Sequence, residues 1–168
     1  MYNEDELYHI ERLDKGQYKN YTQIMKGHLK YQFGYDYDKQ KGRYLMSTIF
    51  IFMTMVFFHI VDDYYLQGWL ASAKQKEYWQ KNAPQEIYKH DYIWALIMHS
   101  FSWAFMIMLP VAYSYSFAVG VSFVIGFLVN MIIHAITDDL KANKKKINLW
   151  GDQLIHISQI VLTAIIFL

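Results

Sequence analysis

Three pairs of residues share one spacing: His59 with Asp63, His134 with Asp138, and Asp152 with His156. On a helix, residues four apart lie on one face, about 5–6 Å between Cβ atoms. An imidazole and a carboxylate placed that way are donors for a divalent cation. The chain has no cysteine, so a thiolate site is out, and the donor set suits Zn, Mn or Fe(II). Such an ion lowers the pKa of a bound water toward ~7 and prepares it for hydrolysis. Asp62 or Asp139, left uncoordinated, is then the expected general base. Lys141 is the expected group for steering an anionic substrate. Gln67, His99, Asn130 and Gln153 are expected to orient the ligands through hydrogen bonds. Each single residue also has a plainer reading: Asp62 and Asp139 as solvated helix caps, Asn130 as a bridge between helices. The threefold coincidence of spacing is what favours a common site.

Apolar segments must hold these residues. No Asp, Glu, Lys or Arg occurs between Tyr92 and Thr137. A small soluble domain has no core thick enough for so long a neutral run, whereas one bilayer crossing needs ~20 mostly apolar residues. Four spans are predicted, at about 44–67, 92–113, 117–140 and 150–168. The fold class is therefore an all-α polytopic membrane protein, a four-transmembrane-helix bundle with an N-terminal helical tail. Residues 1–43 form the polar tail and residues 44–168 the transmembrane domain. In the third span, Ala118, Ser122, Gly126, Asn130, His134 and Asp138 make one stripe, whose small members allow close helix approach in lipid. Pro84 is expected to stop any helix in the loop after the first span.

The order within each pair carries information. The first and third spans reach their Asp after their His, while the fourth begins with its Asp. Antiparallel packing therefore predicts a layer of His59, His134 and His156, with His99 nearby, beneath a layer of Asp63, Asp138 and Asp152. Each ionisable group inside a bilayer costs roughly 2.5–3.5 kcal/mol on insertion scales. A divalent cation compensates several at once.

The net charge of +1 argues against nucleic acid as a partner. The lipid bilayer is the expected one. In the tail, residues 2–14 and 17–33 have helical patterns, the second basic and rich in Tyr. That pattern suits a membrane surface, a protein partner or a homo-oligomer contact. Lys74, Lys76, Lys81, Lys89, Lys141 and Lys144 to Lys146 put their loops, and with them the His/Asp site, on the cytoplasmic side of the cell membrane. Lys39, Lys41 and Arg43 argue for the opposite orientation.

Taken together, His59-Ile-Val-Asp-Asp63-Tyr-Tyr-Leu-Gln67, His99, His134-x3-Asp138-x2-Lys141 and Asp152-Gln153-x2-His156 resemble a family of small bacterial integral membrane proteins catalogued as a domain of unknown function. More loosely, they are similar to membrane-bound metal-dependent hydrolases. The likeness covers about residues 45–168 and implies that Asp63 and Asp138 are the core carboxylates of the two acidic doublets. The leading expectation is a metal-dependent hydrolase acting on an anionic or lipid-side substrate. Two alternatives are a cation or proton transporter using the same groups, and a non-enzymatic membrane interaction or regulatory protein acting through its tail.

Overall fold

A computed structural model describes residues 23–29 and 37–168 of the chain. Residues 23–29 are helical. The expected helix at 2–14 lies outside the described residues, as do the side chains of Lys39, Lys41 and Arg43. Residues 48–168 form one compact unit.

Every regular element among the described residues is helical. The long helices are α1 (Tyr37–Ile60), α4 (Asp91–Ser114), α5 (Val121–Ala142) and α6 (Leu149–Phe167). Two short helices, α2 (Leu70–Ala73) and α3 (Lys76–Asn82), lie between α1 and α4. Four helical stretches are long and apolar enough to cross a membrane: Tyr44–Leu66, Glu86–Ser114, Val121–Ala142 and Leu149–Phe167.

Burial separates the centre of the unit from its lipid face. In α4, 61% of the apolar window is buried, against 22% in α5 and 28% in α6. The buried core comprises Trp103, Ala104, Ile107, Met108 and Val111 of α4 with Met55 and Ile160. By contrast, Val124, Ile125, Leu128, Ile132 and Ile136 on α5, and Leu154, Leu162 and Ile165 on α6, are exposed. Apolar faces of that extent belong against lipid, where a closed helical backbone satisfies its own polar groups.

Local chemistry sets the ends of these elements. Asn148 caps α6 by accepting a 2.9 Å hydrogen bond from the Gly151 amide, as a short polar side chain does at a helix start. α3 stops at Asn82, two residues before Pro84. Gly68 has φ +48°, a left-handed turn that suits glycine, and the chain there swings out of the first span into α2. Pro110 lies inside α4, which continues past it to Ser114. The third span begins at Val121, later than the expected residue 117, because Ser116 and Phe117 adopt left-handed backbone at φ 52° and 61°. This shortening removes Ala118 from the helical stripe, and Ser122 is exposed. Gly126 keeps the close-packing role: a Cβ there would lie 2.7 Å from the Phe167 ring.

The first span does not end as a regular α-helix. Val61–Leu66 is a π-helix, a form rare in general and frequent at functional sites. It holds the Asp62–Asp63 doublet.

Candidate metal centre

His99 from α4 and His134 from α5 meet with their Nε2 atoms 3.1 Å apart. Asp63 Oδ1, from the π-helical turn, lies 3.4 Å from His99 Nε2 and 4.0 Å from His134 Nε2. Asp138 Oδ2 lies 3.3 Å and 3.9 Å from the same two nitrogens. Donors ~2.1 Å from a tetrahedral ion are ~3.4 Å from one another, so these spacings bracket what one ion requires. Two trios of donor atoms, Asp63–His99–His134 and His134–Asp138–His156, each fall within 4.8 Å. The buried His/Asp cluster is thus compatible with a metal ion.

The surroundings fix how these rings face. His99 Nδ1 points to Asp62 Oδ2 at 3.6 Å, while Gln67 donates to His99 Nε2 at 2.9 Å. The lone pair of His99 is therefore on Nε2, on the side of the cluster, and an ion bound there would have to displace the Gln67 hydrogen bond. His134 stacks on Trp103 with ring centroids 4.3 Å apart and on His156 at 4.2 Å. Trp103 sits four residues after His99 on α4 and has no exposed surface. It forms the apolar floor of the site.

The structure sets several of the expected residues in surroundings that their spacing did not indicate. His59 was expected to ligate metal, but both of its nitrogens have other partners. The Trp103 indole donates to His59 Nδ1 at 2.8 Å. An indole can only donate, so the His59 proton lies on Nε2 and goes to Gln153 Oε1 at 3.1 Å. The Gln153 amide nitrogen in turn reaches Asp152 Oδ2 at 3.1 Å and Asp63 Oδ2 at 3.3 Å. His59 therefore acts on the carboxylates through Gln153. His99, expected only to orient ligands, is central to the donor set. Asp62, expected at the membrane edge as base or cap, is 1% exposed. The reason is a partner on α4: the Ser102 hydroxyl donates to Asp62 Oδ1 at 2.5 Å. Asp139 faces away from the cluster, accepting from Asn143 at 2.9 Å and pairing with Lys144 at 2.8 Å. Lys141 pairs with Asp152 Oδ2 at 2.5 Å, and Asp152 Oδ1 lies 3.4 Å from His156 Nε2.

Asn130 serves the helices. Its amide donates to Thr163 Oγ1 at 2.9 Å, and its backbone carbonyl accepts from Gln159 at 3.1 Å. Asn130→Ala is expected to lower stability by about 1 kcal/mol, the scale of interhelical hydrogen bonds in membranes, and to leave bound metal unchanged. Thermal unfolding in detergent, paired with elemental analysis, checks both halves.

Three residues of the site were missed from sequence. Lys74 looks like one more loop lysine, yet it is 8% exposed and donates to Asp138 Oδ2 at 2.5 Å. Asn143 holds it in place: its side chain accepts from the Lys76 amide at 2.7 Å and donates to the Lys74 carbonyl at 3.1 Å. Trp103 is the third. Its spacing from His99 was the available signal. Lys74 and Asn143 had none, since they depend on α2 and α3 folding back over the bundle end.

A cavity of about 360 Å³ opens beside the cluster, with Asp63, Gln67, Lys74, Asp138, Lys141 and Gln153 among its lining residues. Among the described residues, five buried side-chain polar atoms find no hydrogen-bond partner: Asp62 Oδ2, Asp63 Oδ1, His134 Nδ1, Asp152 Oδ1 and His156 Nε2. Each such atom costs ~1–3 kcal/mol when left unsatisfied. Of these, Asp63 Oδ1, Asp152 Oδ1 and His156 Nε2 lie where a cation could satisfy them.

A family model described as "Protein of unknown function (DUF3307)" matches residues 51–168, and the chain belongs to that family. No match was found among curated proteins or among solved structures.

Proposed function

We propose that this member of the family is a membrane-embedded, metal-dependent hydrolase acting on an anionic substrate that reaches it from one membrane face. One observation carries the reading. His99 Nε2 and His134 Nε2, 3.1 Å apart, each lie 3.3–4.0 Å from a carboxylate oxygen of Asp63 and of Asp138, beside a cavity that reaches both carboxylates. Bound there, a Zn, Mn or Fe(II) ion supplies Lewis acidity and lowers the pKa of water.

The chain's own groups divide the remaining work. Formal charge within the cluster favours a divalent ion. Asp62, Asp63, Asp138 and Asp152 bring four negative charges, and Lys74 and Lys141 two positive ones. Two negative charges are left over for the ion to balance. Lys74 and Lys141 line the cavity and attract a phosphate or carboxylate. Of the four acids, Asp63 and Asp138 line it, so a proton from attacking water passes to one of them. Asp62 instead orients His99. The lysine-bearing loops support a cytoplasmic side for this end.

The transport alternative draws on a polar chain running from His156 through Gln159 to Asn130 and Thr163. A pathway needs such groups through the whole membrane. Past Asn130 and Thr163 lie Met108, Val111, Phe123 and Phe167, all in or against the apolar core. Proteoliposomes are accordingly expected to show no cation or proton flux that depends on Asp138.

The test is turnover. Metal-loaded protein in detergent should hydrolyse a phosphate ester or an anionic phospholipid, and Asp138→Asn should abolish it. Lys74→Gln should raise KM for the anionic substrate by tenfold or more when assayed at saturating metal, since Lys74 also bonds Asp138. No turnover of any anionic ester by fully loaded protein would defeat the hydrolase reading.

A further inference from the structure

The donor set described so far uses one oxygen of Asp138. The other, Oδ1, lies 3.7 Å from His156 Nε2. That nitrogen is also 3.4 Å from Asp152 Oδ1. His156 and Asp152 have no exposed surface, and both His156 Nε2 and Asp152 Oδ1 lack a hydrogen-bond partner.

The rest of each side chain is already engaged. Asp152 Oδ2 accepts from Lys141 and Gln153. His156 Nδ1 lies 3.4 Å from Gln159 Oε1, and the Gln159 amide nitrogen donates elsewhere, to the Asn130 carbonyl. His156 Nδ1 therefore carries the proton of the neutral ring, and the Nε2 lone pair faces two carboxylate oxygens. A lone pair this close to two carboxylate oxygens is repelled unless a proton or a metal ion lies between them.

We propose that a second divalent ion binds between His156 Nε2, Asp152 Oδ1 and Asp138 Oδ1, with the Asp138 carboxylate bridging it to the first. The inference rests on the metal centre proposed above and makes that centre binuclear. Paired ions held a few Å apart clamp both the attacking and the leaving oxygen of a phosphoryl group. Charge points to the same ligand class. One ion balances the cluster, so a second leaves surplus positive charge. An anion in the cavity lined by Lys74 and Lys141 offsets that surplus.

The test is a Mn²⁺ titration of full-length, chelator-stripped protein in detergent with inorganic phosphate present. Bound metal is counted and electron paramagnetic resonance is recorded. Two Mn²⁺ per chain with an exchange-coupled spectrum are expected. Asp152→Asn should bind one and give an uncoupled six-line spectrum. Omitting phosphate should weaken the second ion at least tenfold and leave the first little changed.

One Mn²⁺ per wild-type chain would overturn the second site, with a proton on His156 in its place, and leave the first standing. No bound Mn²⁺ would remove both. Two uncoupled ions, or two retained in Asp152→Asn, would contradict the bridge. If Asp152→Asn does not fold, the wild-type count and coupling decide the matter.

Discussion

Replacing His134 with alanine is expected to empty the centre of metal. His134 is the residue common to both donor trios, Asp63–His99–His134 and His134–Asp138–His156. Its ring is fully buried, packed against Trp103 at 4.3 Å and His156 at 4.2 Å. No neighbouring donor can swing into its place without breaking that stack. Losing an outer hydrogen-bond partner alone costs roughly 10–100-fold in metal affinity, so loss of this ligand should exceed about 100-fold. Elemental analysis of wild type and His134→Ala, purified in parallel, reads the effect. Helical content and a monodisperse elution profile show whether the variant is folded. His59→Ala supplies the contrast. Both of its nitrogens are bonded to Trp103 and Gln153, so it should weaken metal binding only to the degree that an outer partner does.

Chelation is expected to destabilise the folded chain strongly. A ligand that binds only the folded state adds about 4 kcal/mol when its free concentration is 1,000 times Kd. For a chain of this size each kcal/mol moves the midpoint by ~2–4 °C, so stripping the metal should lower it by roughly 8–16 °C. The physical source is visible in the structure. Asp63 Oδ1, Asp152 Oδ1 and His156 Nε2 are buried without hydrogen bonds, and the metal-free protein carries that cost. Adding back Zn²⁺ or Mn²⁺ should restore the midpoint. Mg²⁺ should do so poorly, because it prefers oxygen ligands in near-ideal octahedral geometry. A midpoint indifferent to chelator would mean that the cluster is satisfied without an ion.

Periodicity and charge made the four spans legible, along with the convergence of His134, Asp138, Asp152 and His156. Their helices are regular, and residues four apart stay on one face. The first span was harder. Its end is π-helical over Val61–Leu66, so a pattern read at α-helical spacing gave Asp62 to the solvent edge. The structure gives it to Ser102 and His99. His99 was undervalued because it has no carboxylate four residues away. Its acids come from other elements, Asp62 and Asp63 on the π-turn and Asp138 on α5. Lys74 illustrates what a linear pattern cannot carry. Its burial depends on Asn143, 69 residues later, clasping the Lys74 carbonyl and the Lys76 amide. His59 fits the spacing rule yet serves Gln153, because a tryptophan from α4 claims the nitrogen that faces it.

The most direct test of the metal centre is anomalous diffraction at the absorption edge of the ion found in the purified protein. The account predicts a peak among His99 Nε2, His134 Nε2, Asp63 and Asp138, about 2.0–2.2 Å from its ligating atoms. Crystals of metal-supplemented protein with no anomalous peak in that cluster would contradict it.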